Sequence, residues 1–349
     1  MTAIQTDTNG DQPSLQPLVD MLADQMREVN STIIARMDSE VPLIAELGGH
    51  LIAAGGKRMR PLLTLAGAAL VGADSTGRDK AIKLATAVEF IHSATLLHDD
   101  VIDESNLRRG RDTANALWGN EASVLVGDFL FARSFELMVE TGNINVLGRL
   151  SNAAARITEG EIKQMAITGA PDTGMDAYLD VITGKTAILF AAAAAAGAEV
   201  GGGSTEDIAA MHDYGMKLGL AFQIMDDALD YAADAADMGK NTGDDFADQK
   251  ITMPTIIAWQ QGDADERAFW QRTLGEAAFA EGDLATAQTL LAKHDAITLS
   301  LAAARDYAHQ ARDRVLAHCA TRAAGGDDAS PAIGRALADA AIFAAARSS

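Results

Sequence analysis

The sequence predicts an all-α protein, and three observations carry that prediction. Aromatic residues make up only 5% of the chain, so alanine and aliphatic side chains must fill the core. That suits closely packed helices better than sheets, which lean on aromatic and β-branched residues. Apolar residues recur three and four positions apart, as at Leu18, Leu22, Met26 and Val29, and give the stripe of an amphipathic helix. Alternating strand patterns joined by tight turns are missing, and seven prolines in 349 residues leave long helices unbroken.

Taken in order, residues 1–14 are polar and read as a disordered tail. Helical patterning follows from 15 onward, with segments at 43–54 and 61–71. Residues 80–98 are apolar on nearly every face, as a buried central helix would be. Further helices are expected at 114–140, 145–168, 175–198, 205–232, 251–260, 264–278, 284–293, 297–318 and 331–346. Pro61 and Pro331 fall where a first helical turn tolerates proline. Glycine- and aspartate-rich stretches at 169–174, 201–207, 238–250 and 324–331 mark loops. None is long enough to be an interdomain linker and no fixed-period repeat is present, so residues 15–349 read as one helical domain.

The chain carries 28 Lys plus Arg against 49 Asp plus Glu, a formal charge of −21. That balance argues against nucleic-acid partners, which demand an excess of cations. A single cysteine, Cys319, excludes an internal disulfide framework and fits a reducing compartment. The amino terminus has neither the early positive charge nor the apolar core of a signal peptide. The longest apolar run, 187–198, falls short of the roughly 20 residues that span a bilayer and reads as a buried helix. A soluble, cytoplasmic protein is expected.

Two clusters carry the chemistry. At Leu96-Leu97-His98-Asp99-Asp100-Val101-Ile102-Asp103 an apolar helix ends in three carboxylates, with Asp99 and Asp103 on one face. Like charges so placed cost stability unless a cation lies between them, and Lys and Arg begin only at Arg108. Phe222-Gln223-Ile224-Met225-Asp226-Asp227-Ala228-Leu229-Asp230 repeats the arrangement. One such cluster is usually a solvated helix end. Two of them, facing each other, would make an oxygen-rich cage for hard divalent cations, and magnesium, which completes its shell with water and phosphate, suits it. Neither cluster has the alternating ligands and central glycine of a calcium-binding loop.

The cations gather where the carboxylates do. Lys57, Arg58 and Arg60 follow Gly55-Gly56, and Arg108, Arg109 and Arg111 lie just past the first aspartates. Lys185 sits in Thr183-Gly184-Lys185-Thr186, and Lys240 and Lys250 bracket Gly243-Asp244-Asp245. Arginine forks and lysine point charges are phosphate ligands. A Walker A loop would need glycine where Leu179 stands, so Gly-Lys-Thr is not one.

GGKRMRP, LLHDDVIDESNLRRG, TGKTA, FQIMDDALDY and GKNTGDD…K, in this order over about residues 40–255, resemble the motifs of the trans-prenyltransferases, the polyprenyl diphosphate synthases. The resemblance implies an all-α bundle around a deep central cavity, a homodimer, and the condensation of an allylic diphosphate with isopentenyl diphosphate. Asp99 and Asp103, with Asp100 nearby, would bind magnesium on the allylic diphosphate. Asp226 would hold a further ion, giving two or three per site, with Asp227 and Asp230 in support. Arg108, Lys185, Lys240 and Lys250 would grip the allylic diphosphate, and Lys57, Arg60, His92 and Arg109 would bind isopentenyl diphosphate. Thr186 and Gln223 would face the reacting carbons. Asp248-Gln249-Lys250 replaces the Glu-Gly-Lys common in relatives, and losing that glycine puts the placement of Lys250 in question. Read without the resemblance, His92 is a core histidine, and Met216 and Met225 are core filler.

The same resemblance makes product length depend on the wall below Asp99. Thr95 and Ala94 stand there, with Ile91, Val88 and Ala87 deeper, where short-chain relatives often place an aromatic. A helix from Ala81 to Asp99 is roughly 28 Å long at about 1.5 Å per residue, room for a product of about eight to ten isoprene units, the size of a quinone side chain. Farnesyl or geranylgeranyl diphosphate would be the starter. Phe131, Phe135 and Met138 are floor candidates. A terpene cyclase would lack the second aspartate cluster and GGKRMRP, and a regulatory subunit of a heteromeric synthase would lack one cluster. A synthase of shorter products is the nearer alternative. No basic amphipathic anchor is evident, although an apolar product implies transient contact with a membrane.

Overall fold

Two helices organise the structure, and local chemistry starts each of them. The Asp74 carboxylate accepts a hydrogen bond from the Gly77 amide (2.8 Å) and opens a 28-residue helix, Ser75–Ile102. Ser204 and Asp207 form a reciprocal capping box that opens a 26-residue helix, Thr205–Asp230. Each ends in an aspartate cluster. The structure, a computed structural model, describes residues 13–53, 58–108, 110–232, 243–326 and 330–346. Lys57, Arg109, Lys240 and most of the expected tail lie outside the described residues.

Among the described residues the helices are α1 (Gln16–Met21), α2 (Ala23–Arg36), α3 (Pro42–Ala53), α4 (Met59–Leu70), α5 (Ser75–Ile102), α6 (Ala114–Trp118), α7 (Asn120–Glu140), α8 (Ile144–Ile167), α9 (Met175–Ile182), α10 (Ile188–Val200), α11 (Thr205–Asp230), α12 (Asp244–Ala247), α13 (Met253–Gln261), α14 (Ala264–Trp270), α15 (Asp283–Lys293), α16 (Ala296–Ala324) and α17 (Ser330–Ala345). The expected helix class is therefore correct, with instructive differences at the boundaries. The single helix expected over 114–140 is two, because Gly119 takes φ +86°, which no helix continues through. The first stripe breaks at Leu22, between α1 and α2. Two segments carry π-turns: Thr183–Ala187 joins α9 to α10, and Gln271–Gly275 extends α14.

One short ribbon escaped the sequence pattern. β1 (Leu107–Arg108) pairs antiparallel with β2 (Arg111–Asp112). Two residues per strand are too few for an alternating pattern to show.

The low aromatic content appears in the packing. Helix α10 has alanine at 191–196 and 198 and lies buried between α4, α8 and α11. Glycine lets backbones meet there: a Cβ on Gly197 would fall 1.8 Å from the Thr64 carbonyl, and one on Gly215 would fall 2.5 Å from the Phe190 carbonyl. Such close approach is the use of small residues. The run Met175–Val200 is continuous, 26 residues long and apolar enough to cross a membrane. Length alone therefore does not mark it as a core helix; its burial inside the fold does. A larger core cluster joins α1, α2, α4, α5, α7, α8, α10 and α17, and a second one joins α9, α11, α13, α15 and α16.

Candidate active site

Both aspartate clusters sit at helix C-termini, where the macrodipole is negative. Each helix thus adds to the repulsion among its own carboxylates. Burial pushes the Asp99 carboxyl up to about 7, with Glu161 and Asp103 adding to the rise and Lys185 and Arg108 opposing it. Burial also raises Asp227 to about 6. This end of the molecule holds more negative charge than it can solvate, and that creates a demand for cations.

The α5 terminus is fixed from outside. Ser123 donates to the Leu97 carbonyl (2.9 Å), and the Asn115 amide donates to the carbonyls of Asp100 (3.1 Å) and Ser105 (3.0 Å). These bonds occupy carbonyls that a helix end leaves open. Arg108, on the ribbon, folds back so that its Nε (2.9 Å) and Nη2 (2.7 Å) both donate to Oδ1 of buried Asp100. Asp100 thus orients Arg108, whose charge also acts on Asp99. The cation that the sequence lacks near Asp103 comes from far away: Lys250 reaches Asp103 Oδ2 at 3.4 Å and Asp248 at 2.8 Å.

Lys250 is placed by a strained residue. Gln249, standing where relatives have glycine, takes φ +55°, the left-handed conformation that glycine adopts freely and other residues adopt at a cost. Its carbonyl accepts from the Gly169 amide (3.2 Å), tying this loop to the end of α8. Gln249 thus takes the conformation that glycine would supply, and Lys250 reaches Asp103 from it. Burial lowers the Lys250 pKa, but Asp245, Asp103 and Asp248 outweigh it and raise the pKa overall.

Lys185 occupies the π-turn, a distortion often found at functional sites. The turn packs on α8 through two glycines: a Cβ on Gly160 would lie 2.4 Å from the Lys185 amide nitrogen, and one on Gly184 3.0 Å from the Arg156 carbonyl. Backbone contact there brings Lys185 Nζ to Glu161 (2.8 Å) and Gln164 (2.7 Å). The charge of Lys185 acts on both Asp99 and Asp227, so it lies between the two clusters. Thr186 donates to Gln223 Oε1 (2.7 Å), and Gln223 Nε2 donates to Asp227 Oδ1 (2.7 Å). Tyr178 donates to the other oxygen, Oδ2, at 2.6 Å. Both oxygens of Asp227 thus accept from protein donors, which fixes the orientation of this carboxylate beside Asp226. Asp230 Oδ2 accepts from the Asp245 amide (3.0 Å).

The Arg60 guanidinium stacks on Phe190 at 4.4 Å from the ring centroid, and burial lowers its pKa to about 10 against the opposing pull of Glu89. Arg58 begins α4 in the left-handed conformation, φ +44°, and turns toward Glu89 (3.9 Å). His92 is half-buried, and its carbonyl accepts from Thr95 (2.8 Å). Ala94, Ile91, Val88 and Ala87 are buried. Phe131 lies 6.0 Å from the His98 ring, and Met138 is buried. Phe135 is 43% exposed on α7.

Glu161, Gln164, Tyr178 and Asp245 escaped the sequence reading. Glu161 and Gln164 stand three apart on one helix face, a signal that was available. Tyr178 had none beyond its place seven residues before Lys185.

Residues 41–291 match the family model of the polyprenyl synthetases. The octaprenyl diphosphate synthase of Haemophilus influenzae is 40% identical over 298 residues, covering 85% of this chain and 89% of that protein. The crystal structure of a decaprenyl diphosphate synthase from Rhodobacter capsulatus is 47% identical, with a TM-score of 0.87 over 95% of this chain and 98% of that one. That of a polyprenyl synthase from Caulobacter crescentus, complexed with calcium and isoprenyl diphosphate, is 44% identical, with a TM-score of 0.89 over 97% and 99%. The helical fold, the paired aspartate clusters and these likenesses together place the chain in the polyprenyl synthetase family.

Proposed function

We infer that this chain is a long-chain trans-polyprenyl diphosphate synthase, which adds isopentenyl diphosphate units to an allylic diphosphate until the product reaches about eight to ten isoprene units. The observation that carries the reading is the position of Lys185 and Lys250. Lys185 acts on Asp99 of α5 and Asp227 of α11, and Lys250 bonds Asp103 of α5 and acts on Asp245, which neighbours Asp227 and Asp230 of α11, a placing of cations that suits a diphosphate.

The donors at both helix ends are carboxylate oxygens, a set that fits magnesium. Asp99, Asp103, Asp226 and Asp230 would hold it. When bound, the metal supplies positive charge against the charge that builds on the departing diphosphate. The residues of the chain do the rest. Lys185 and Lys250 hold the allylic diphosphate, joined by Arg108 once it releases Asp100. Arg60, flat against Phe190, presents its fork to the diphosphate of isopentenyl diphosphate. The allylic carbon–oxygen bond breaks with its electron pair leaving on diphosphate. The double bond of isopentenyl diphosphate then forms the new carbon–carbon bond, and a proton passes to the released diphosphate. Thr186 and Gln223 turn oxygen lone pairs toward the cationic carbons. No side-chain nucleophile is required.

Alanine at position 94, buried and small, supports the long product. A homodimer is supported by α7, whose Val124, Leu125, Phe135 and Val139 are exposed apolar residues, a stripe that a second copy of the chain would cover. The test is incubation of the purified protein with magnesium, farnesyl diphosphate and labelled isopentenyl diphosphate, followed by sizing of the products. Long chains are expected. No incorporation by the protein alone would point to a subunit of a heteromeric enzyme, and products that stop at geranylgeranyl length to a short-chain synthase.

A further inference from the structure

We propose that Tyr178 is a positioning residue for the condensation, fixing the geometry of a hydrogen-bond chain that ends at the Thr186 hydroxyl. The inference rests on the prenyl synthase reading of the site.

The chain runs through four side chains on three elements. Tyr178 belongs to α9, is fully buried, and donates to Asp227 Oδ2 at 2.6 Å. Gln223 Nε2 donates to Asp227 Oδ1 at 2.7 Å, and Thr186 Oγ1, in the π-turn, lies 2.7 Å from Gln223 Oε1. An amide can face either way, and so can a hydroxyl proton; their neighbours decide. Asp227, a carboxylate, can only accept, and the Tyr178 hydroxyl on Oδ2 fixes how its other oxygen faces Gln223. An accepting Asp227 turns the NH2 of Gln223 toward itself, and the carbonyl of Gln223 is then left for Thr186. Thr186 must donate into that carbonyl, so its proton is tied up and its lone pairs remain for whatever lies in the cavity. A carbon that becomes positive during reaction meets oxygen lone pairs instead of a hydroxyl proton, and preorganised dipoles of this kind lower a barrier without reorganising. Tyr178 itself touches no reacting atom.

Without the phenol oxygen one acceptor of a buried carboxylate is unpaired, and water or a reoriented Gln223 can take its place. The carboxylate is then free to rotate, and Gln223 and Thr186, which hang from it, lose the positions that aim the Thr186 lone pairs into the site. Tyr178 shares one core cluster with Ile182, Met253 and Trp270, so Tyr178→Phe keeps the packing and removes the hydroxyl, with its bonds to Asp227 and to the Met253 backbone.

The experiment is a double-mutant cycle between Tyr178→Phe and Thr186→Val, read by single-turnover condensation of farnesyl and isopentenyl diphosphates. Wild-type enzyme is assayed first, and its failure to incorporate isopentenyl diphosphate would sink the functional reading itself. With active wild type, Tyr178→Phe is expected to slow the chemical step about tenfold or more, with KM for isopentenyl diphosphate and the half-saturating magnesium concentration each within about twofold. In the Thr186→Val background the same change is expected to do almost nothing further, because coupled residues are not additive. If Tyr178→Phe fails to fold, the same cycle is run with Tyr178→Met, which also lacks the donor. Tyr178→3-fluorotyrosine, which keeps donor and shape, is expected to retain the wild-type rate, and a loss there comparable to that of the donor-free variant overturns the proposal. So does an equal loss in both backgrounds, or a loss that extra magnesium restores.

Discussion

Gly160 of α8 and Gly184 of the following π-turn lie backbone against backbone, with the Gly160 Cα 3.2 Å from where a Cβ on Gly184 would stand. That contact fixes Lys185 beside Glu161 and Gln164. A methyl group at 160 would meet the Lys185 amide nitrogen at 2.4 Å, and backbone cannot move aside as a side-chain tip can. Gly160→Ala is expected to cost about 2–3 kcal/mol, read by thermal or denaturant unfolding, and to raise KM for the allylic diphosphate. An unchanged melting temperature would show that the two segments are not in contact.

Asp99 is held up at about 7 by burial, Glu161 and Asp103, while an unfolded aspartate titrates near about 3.9. Between those values the folded state binds more protons than the unfolded one, so stability falls as pH rises. The metal-free protein is expected to lose stability from about pH 4 to about pH 7 through this group, and Asp99→Asn to raise its melting temperature by about 2–4 °C while abolishing condensation. Magnesium is expected to flatten the slope in the wild type but not in the variant. Calorimetry across pH, with and without metal, reads both effects.

Gln249 occupies the left-handed region at φ +55°. Glycine would remove the clash of Cβ with the backbone, worth about 1–2 kcal/mol, against a chain-entropy cost of about 0.5–1 kcal/mol. Gln249→Gly is therefore expected to be neutral or slightly stabilising and to keep its activity, because the hydrogen bond to Gly169 is made by backbone. Gln249→Val, branched at Cβ, is expected to lower the melting temperature and to weaken binding of the allylic diphosphate by releasing Lys250 from Asp103. Equal behaviour of the two variants would remove the conformational argument.

Ala94 is fully buried on α5, five residues before Asp99. Ala94→Phe is expected to fill the space along that face and to shorten the products, with initial incorporation retained. Chromatographic sizing of the products decides it, and an unchanged chain length would mean that growth does not pass this wall.

Much of this protein is legible in one dimension, because helices and their ends are local. The spacing of apolar residues, the caps at Asp74 and Ser204, and the placing of Asp at i, i+1 and i+4 at the end of two apolar helices all follow from neighbours in sequence, and they were enough to name the fold class, the two clusters and the cations around them. Gly119 shows the limit even there: its positive φ divides a helix that the apolar pattern carries straight through. Beyond that, the structure decided by distance what sequence could not. Lys250 serves Asp103 from 147 residues away. Asp227 accepts from Tyr178 and Gln223, although its spelling is that of its neighbour Asp226, and Arg108 turns to Asp100. The physical reason is the same throughout. Which groups carry charge and which way a helix end points are properties of the chain, whereas which donor meets which acceptor depends on where packing brings separate elements together, and here glycine contacts invisible to charge or periodicity set that packing.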